Sequence, residues 1–311
     1  MSFMIVSDSS SNVLSMGSSN YTTVPLKIIA AKEYVDDANL DLAGMMEDLR
    51  NHNGKSGSSC PNVGEWLDAF GDAEEVFCVT ISKNLSGSYA ASIQAGETYM
   101  SEHPGRKVFT FDSLAVGPEM ALIIDKIREC EAAGDDYETT KAKVLEYHNH
   151  VHTLFCLESM LNLARNGRVP MAVAKIGGML GIRVAGIALG GRVTPVHKPR
   201  GAKKATQTLV QMVKERGFKD GNTLRVAHCF AEEAAQAFMD AIRAEFPNTR
   251  FILEHTTALC SFYAEAGGLI IGFEGDFNTD NDNTKYGFFT GGSEEPPFFT
   301  PNFPVEKTCG I

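Results

Sequence analysis

Glu75-Val-Phe-Cys-Val-Thr-Ile-Ser-Lys-Asn-Leu-Ser-Gly-Ser-Tyr89 decides how the first half of the chain folds. Glu75 to Ile81 is an apolar run of strand length, the pattern of a β-strand buried on both faces. Ser82 to Ser88 stops it, and Tyr89 to Met100 continues as a helix. Two further runs repeat the arrangement. Met4 to Ser7 is stopped by Asp8-Ser9-Ser10-Ser11-Asn12, and Lys107 to Phe111 by Asp112-Ser113, after which Gly117-Pro118 leads into a helix over Met120 to Cys130. Strands alternating with helices predict an α/β domain with a mostly parallel sheet. Ligands of such sheets bind beyond the carboxyl ends of the strands. Serine or aspartate follows all three runs, so small hydrogen-bonding groups are expected to line that crevice.

Two stretches could hold an anion there. Ser58-Ser59-Cys60-Pro61 precedes Val63, Trp66, Leu67 and Phe70, whose spacing predicts a short amphipathic helix with a serine in capping position. The serines either cap that helix or, with its free N–H groups, receive an anion. In Asn84-Leu-Ser-Gly-Ser-Tyr89, Ser86 and Ser88 straddle Gly87 where a helix follows a strand. Hydroxyls, unpaired N–H groups and the positive end of a helix dipole suit a carboxylate or phosphate.

The second half opens near His152. Strands are expected at Leu154–Leu157, Val184–Leu189, Arg192–Val196, Leu224–Cys229, Phe251–His255 and Leu269–Phe273. Helices are expected at Glu158–Asn166, Ala172–Leu180, Ala202–Arg216 and Glu232–Phe246, and Gly190-Gly191 signals a hairpin turn. This predicts a second α/β or α+β domain. The expected division is 1–152, 153–275, and a tail over 276–311 rich in Asn, Asp, Gly, Pro and Phe, either disordered or pinned by its phenylalanines.

Charge is unevenly spread. Leu161 to Gly217 holds eleven Lys or Arg and only Glu215 as an acid, a local net charge of +10 in a chain of net charge −11. Its cations are interleaved with Met171, Val173, Ile176, Ile182, Val184 and Ile187. That mixture suits a partner with a charged head and an apolar body better than a bare phosphate backbone. The segment also lacks the aromatics that single-stranded nucleic acid stacks on. No stretch is continuously apolar over the ~20 residues that cross a bilayer. The N-terminal residues lack a signal-peptide pattern, and seven unpatterned cysteines point to reduced thiols, so a cytoplasmic protein is expected. There is no phosphate loop, dinucleotide-binding fingerprint, nucleophile elbow or zinc-protease motif. His148, His150 and His152 invite a metal reading, but Glu146 and Cys156 complete no ligand set at a known spacing, and a helix end or linker explains them better. No catalytic residue, cofactor or metal is expected.

Six separated motifs resemble the DegV family of bacterial fatty-acid-binding proteins. They are Val6-Ser-Asp-Ser9; Ser58-Ser-Cys-Pro61, where the family has Thr-Ser-x-Pro; Ser82-Lys-Asn-Leu-Ser-Gly-Ser-Tyr89, where it has Ser-x-x-Leu-Ser-Gly-Thr-Tyr; Phe111-Asp-Ser113; Leu157 through Gly167-Arg168-Val169; and Lys198-Pro-Arg-Gly-Ala-Lys-Lys-Ala205. The resemblance implies two α/β domains with one long-chain fatty acid between them, presented to a fatty acid kinase that phosphorylates the carboxylate. It implies that Ser58 or Ser59 and Ser86 hydrogen-bond that carboxylate, with Gly87 and Ser88 close by. Arg168 falls near the ligand head or the kinase's docking face. Where the family has His-x-Gly-Pro-Gly, this chain has Tyr263-Ala-Glu-Ala-Gly267. A phenol at 263 donates one hydrogen bond but cannot become a cation. The alternative is a phosphoryl- or acyl-transfer enzyme of the dihydroxyacetone-kinase-like kind, with Asp8 and Asp112 as the strand-end acids. As a carrier needs no such group, both are read as loop caps.

Overall fold

The computed structural model of the chain describes residues 3–17, 20–177 and 181–276. The expected tail, apart from Asp276, lies outside the described residues. From the N-terminus the elements are β1 (Met4–Asp8), β2 (Tyr21–Val24), β3 (Lys27–Ile29), β4 (Glu33–Val35), α1 (Leu42–Asn51), β5 (Gly57–Ser59), α2 (Val63–Phe70), β6 (Glu75–Thr80) and α3 (Ser88–Glu102). There follow β7 (Lys107–Asp112), α4 (Pro118–Ala132), α5 (Tyr137–His148), β8 (Val151–Leu157), α6 (Leu161–Arg165), α7 (Met171–Gly177), β9 (Val184–Leu189) and β10 (Arg192–His197). The last described elements are α8 (Ala202–Glu215), β11 (Thr223–His228), α9 (Glu232–Glu245), β12 (Arg250–His255), α10 (Ala258–Ala264) and β13 (Leu269–Glu274).

The three apolar runs of the first half are neighbours in one parallel sheet of order β2-β1-β6-β7. Their side chains are buried on both faces, as uninterrupted apolar strands require: Phe77 stacks on Tyr137 on one side, and Val76 and Cys78 pack with Trp66 and Phe70 on the other. The second sheet, β10-β9-β8-β13-β11-β12, is antiparallel except for the β11–β12 pair. Its β9–β10 hairpin turns at Gly190 (φ 54°) and Gly191 (φ 74°), both left-handed, as a two-residue turn of this twist demands. A third sheet, β4-β3-β5, is short and antiparallel.

Helix α4 joins the two large sheets. Met120, Ile123, Ile124 and Ile127 are fully buried, and the helix touches β6 of the first sheet and β8, β11 and β13 of the second. Its N-terminal half, Pro118 to Ile124, is buried throughout, while Arg128 and Glu129 near its end face solvent. Its first turn lies directly on β13 at Gly272, where a methyl group would stand 2.6 Å from the Glu119 nitrogen.

Some expectations change. Ser58 and Ser59 do not cap α2; they belong to β5, and the cap is Asn62, whose side chain accepts from the Glu65 N–H in a reciprocal capping box. The helix expected at Glu158–Asn166 spans only Leu161–Arg165, because Glu158 is drawn to Arg183 across the chain. The helix expected at Ala172–Leu180 is described from Met171 to Gly177. The strand expected from Leu154 begins at Val151. His148 ends α5 with its Nε2 2.7 Å from the Ser113 carbonyl, and no metal-ligating group forms among the described residues. No described helix is long and apolar enough to cross a membrane.

Gly272→Ala is expected to destabilise the fold by roughly 1–3 kcal/mol, the usual cost of forcing a methyl group into a packed contact. Urea unfolding measures it. A loss below about 0.5 kcal/mol, the range of an ordinary surface change, would mean that α4 is not pinned at this contact.

Candidate ligand-binding site

The loop after β6 is wound tightly and tied to the opposite lobe. Leu85 and Ser86 donate their N–H groups to the Ser82 carbonyl at 2.9 and 3.1 Å. The Ser82 hydroxyl and the Asn84 amide reach across to the carbonyls of Gly191 and Gly190, both at 2.8 Å. Beneath the loop lies Asp8, fully buried. Its carboxylate accepts from the Ile81 N–H at 3.0 Å, the Ser88 hydroxyl at 2.6 Å and the Ser10 N–H at 3.2 Å, and burial pushes its pKa up. Asp8 thus fixes the exit of β6 and the start of α3 together. Asp112 likewise accepts from the N–H groups of Lys83 and Leu114. Both aspartates hold loops, and neither lines the cavity described next.

Between the lobes lies a cavity of about 820 Å³, mouth included. Its walls are apolar: Ile81 and Leu85 from the loop, Leu114 to Val116 before α4, Phe155 and Leu157 on β8, and Ile187, Val193 and Ile270 from the second sheet. Thr153, Phe155 and Leu157 alternate along β8 and so share its cavity face. The Thr153 hydroxyl is already committed to Glu119.

Four of the sequence-derived site residues meet at this cavity: Ser58, Ser86, Arg168 and Tyr263. Ser58 and Ser59 are successive on β5 and point to opposite faces, which settles which serine reaches the cavity. The Ser58 hydroxyl lies 2.8 Å from that of Tyr263, and the Arg168 guanidinium sits 5.6 Å from the Tyr263 ring centre. Arg168 donates to the carbonyls of Leu85 (3.2 Å) and Asn166 (2.6 Å). Among the described residues no carboxylate pairs with it. The lining contains two arginines, Arg168 and the exposed Arg192, and no acid. Three expected residues stand back. Ser59 faces away on β5, Gly87 caps α3 beside the Cys60 sulfur, and Ser88 is buried against Asp8.

Helix α10, missed in the sequence, supplies Leu259, Cys260, Tyr263 and Ala264 to the lining. Its seven residues are apolar almost throughout, so neither period nor polarity marked it as a wall. Asp36 caps it from the first lobe, accepting from the Ala258 and Leu259 N–H groups at 2.7 and 3.1 Å. Burial pushes the Asp36 pKa up to about 6.

With this geometry in place, comparison with known proteins is direct. The DegV family model matches residues 2–275. The chain belongs to the DegV family. A DegV domain-containing protein of Streptococcus pneumoniae is 34% identical over 258 residues, covering 82% of this chain and 92% of the relative. A crystal structure of a DegV family protein from Eubacterium eligens, loaded with heptadecanoic acid, superposes with a TM-score of 0.86 at 34% identity, over 88% of this chain and 100% of that one. The Fatty Acid Kinase (Fak) B3 protein of Streptococcus pneumoniae, loaded with linoleic acid, gives a TM-score of 0.86 at 33% identity, over 89% and 100%. The two-domain α/β architecture implied by the motifs is therefore that of this DegV chain.

Asp36 also makes a prediction about pH. Its folded pKa of about 6 lies above the ordinary 3.8, so the folded state holds a proton that the unfolded state releases between those values. This group therefore stabilises the fold increasingly as pH falls from about 6 towards 4. Wild type should gain on Asp36→Asn by about 2 kcal/mol between pH 7.5 and pH 4.5, from the size of that shift. Paired urea titrations at the two pH values test this. A wild-type-to-variant difference that ignores pH would show that Asp36 does not titrate in this range.

Proposed function

We propose that this protein binds one long-chain fatty acid between its two lobes and presents it, in the cytoplasm, to a fatty acid kinase that phosphorylates the carboxylate. The observation that carries this reading is the lining. An apolar cavity meets a cluster of hydroxyls beside an arginine that, among the described residues, pairs with no acid. In this proposal Ser58, Ser86 and Tyr263 hydrogen-bond the carboxylate and Arg168 supplies charge. Ser59, Gly87 and Ser88 shape the loop around it. Residues 1–152 furnish the serine-bearing head-group loops, and 153–275 cover the acyl chain and add Arg168 and Tyr263 at the head.

The energetics agree. Burying about fifteen methylenes gains roughly 12 kcal/mol before entropic costs, at ~0.8 kcal/mol each. An unpaired carboxylate would forfeit much of that gain. Hydroxyl donors and a guanidinium recover it, since charge-assisted hydrogen bonds are the strong ones. The likeness to two DegV proteins solved with heptadecanoic and linoleic acid supports a fatty acid as the ligand. The Fak B3 likeness supports the kinase partner and a binding role rather than a catalytic one.

Denaturing extraction and lipid mass spectrometry of protein purified from lipid-replete cells should recover close to one fatty acid per chain. A stoichiometry near zero sinks the reading. Ser86→Ala should weaken fatty-acid binding by about 1–3 kcal/mol, the cost of leaving a buried acceptor short of a donor. Lys203→Ala, on an exposed face of α8, should leave binding unchanged. Displacement of a fluorescent fatty acid reports both. Equal losses in the two variants would move the head group away from the Ser86 loop.

A further inference from the structure

Helix α10 follows β12 in the chain, yet its mount belongs to the first lobe. Asp36, 1% exposed, takes the first two N–H groups of the helix and the Thr257 hydroxyl at 3.3 Å. Asn12 accepts from both the N–H and the hydroxyl of Thr257 at 3.1 Å, and the Cys260 thiol points to the Ser10 carbonyl at 3.4 Å. The other end of the helix is held by the 2.8 Å contact between Tyr263 and Ser58.

Both mounting points belong to the same small sheet. Val35 of β4 pairs with Lys27 of β3, and the next residue, Asp36, donates its N–H to the Leu26 carbonyl at 2.9 Å. Ser58 of β5 pairs with Ile28 on the other side of β3. Two strand spacings separate the edges by about 9.6 Å. The five steps from Ala258 to Tyr263 advance about 7.5 Å along the helix. The helix thus runs from one edge of this sheet towards the other, its first N–H groups on Asp36 and its tyrosine on Ser58.

We propose that Asp36 is a positioning residue for ligand recognition: by holding the start of α10 at one edge of this sheet, it sets the Tyr263 hydroxyl against Ser58 at the other and so governs how well the cavity selects a carboxylate head. The proposal rests on the fatty-acid reading above. A buried carboxylate is a costly cap for seven residues when serine or asparagine would serve. The burial that lifts its pKa measures that cost. A two-point mount gives a reason to bear it, because one acid takes two N–H groups and a hydroxyl at once.

The test compares palmitate with its methyl ester in wild type, Asp36→Ala, Tyr263→Phe and the double variant, with Asp36→Asn as the milder change. Wild type should prefer the acid. Asp36→Ala and Tyr263→Phe should each lower the acid-to-ester ratio of affinities by about tenfold, as loss of one charge-assisted hydrogen bond implies. The double variant should fall no further than either alone, because both changes remove the same contact. Asp36→Asn should show a smaller drop with the same non-additivity, which keeps the test open if the alanine variant fails to fold. Val144→Ala, in the first-lobe core away from the cavity lining, controls for lost stability and should leave the ratio unchanged. Additive losses, an unchanged ratio in Asp36→Ala and Asp36→Asn, or a matching fall in Val144→Ala each overturn the proposal while sparing the fatty-acid reading. Failure of wild type to bind palmitate overturns both.

Discussion

One helix has to satisfy two sheets. Met120, Ile123, Ile124 and Ile127 of α4 are wholly enclosed in the first-lobe core, while Pro118 and Glu119 lie on Gly272 of β13 and Asp125 pairs with Arg225 of β11. Because β6 comes from the first third of the chain and β13 from near the end of the described residues, α4 couples segments that sequence order keeps far apart. Gly272 sets how closely it sits. The cavity is the space left beside this contact, entered by Leu114, Ala115 and Val116 just before the helix starts. Cavity and interlobe core are therefore products of the same packing.

Among the described residues no acid lines the cavity. Asp8, Asp36 and Glu119 are all buried, and each accepts hydrogen bonds from neighbouring N–H or hydroxyl groups. Asp8 spends its charge on the loop bearing Ser86, and Asp36 spends its charge on the helix bearing Tyr263. Carboxyl groups thus hold the loop and the helix from behind, while Arg168 and Arg192 stand on the lining. The guanidiniums on the lining attract an anion and ionised acids behind it repel one, and the low dielectric of an apolar cavity strengthens both effects.

How much of this was legible follows from strand length and from distance along the chain. β1, β6 and β7 declared themselves because they are buried on both faces and so read as unbroken apolar runs. β3, β4 and β5 span only three residues each, too few for a period to show, and the small sheet that carries Ser58 went unseen. Ser58-Ser-Cys-Pro61 read as a helix start, although Asn62 and Glu65 already spelled the reciprocal capping box that places the true start later. The motifs named Arg168 and Tyr263, but nothing local reveals that they meet Ser58. Asp36 was invisible for the same reason: its partner Ala258 lies 222 positions away, and an aspartate in a loop looks like solvent-facing charge until the fold encloses it.

Proton counting at the Ser58–Tyr263 pair shows why two hydroxyls suit this position better than one. Between them they carry two protons, and their mutual 2.8 Å contact uses only one. Whichever oxygen donates, the other keeps its proton for an outside acceptor, and the oxygen receiving the internal bond becomes the stronger donor through polarisation. A histidine in place of Tyr263 could carry positive charge to the head group, but it would gain and lose that charge near neutral pH. A phenol brings a hydroxyl donor instead, with the guanidinium of Arg168 beside its ring. The division of labour is then complete. In the proposed site Arg168 would supply charge and the hydroxyl pair direction, with the loop on Asp8 and the helix on Asp36 holding the two in place.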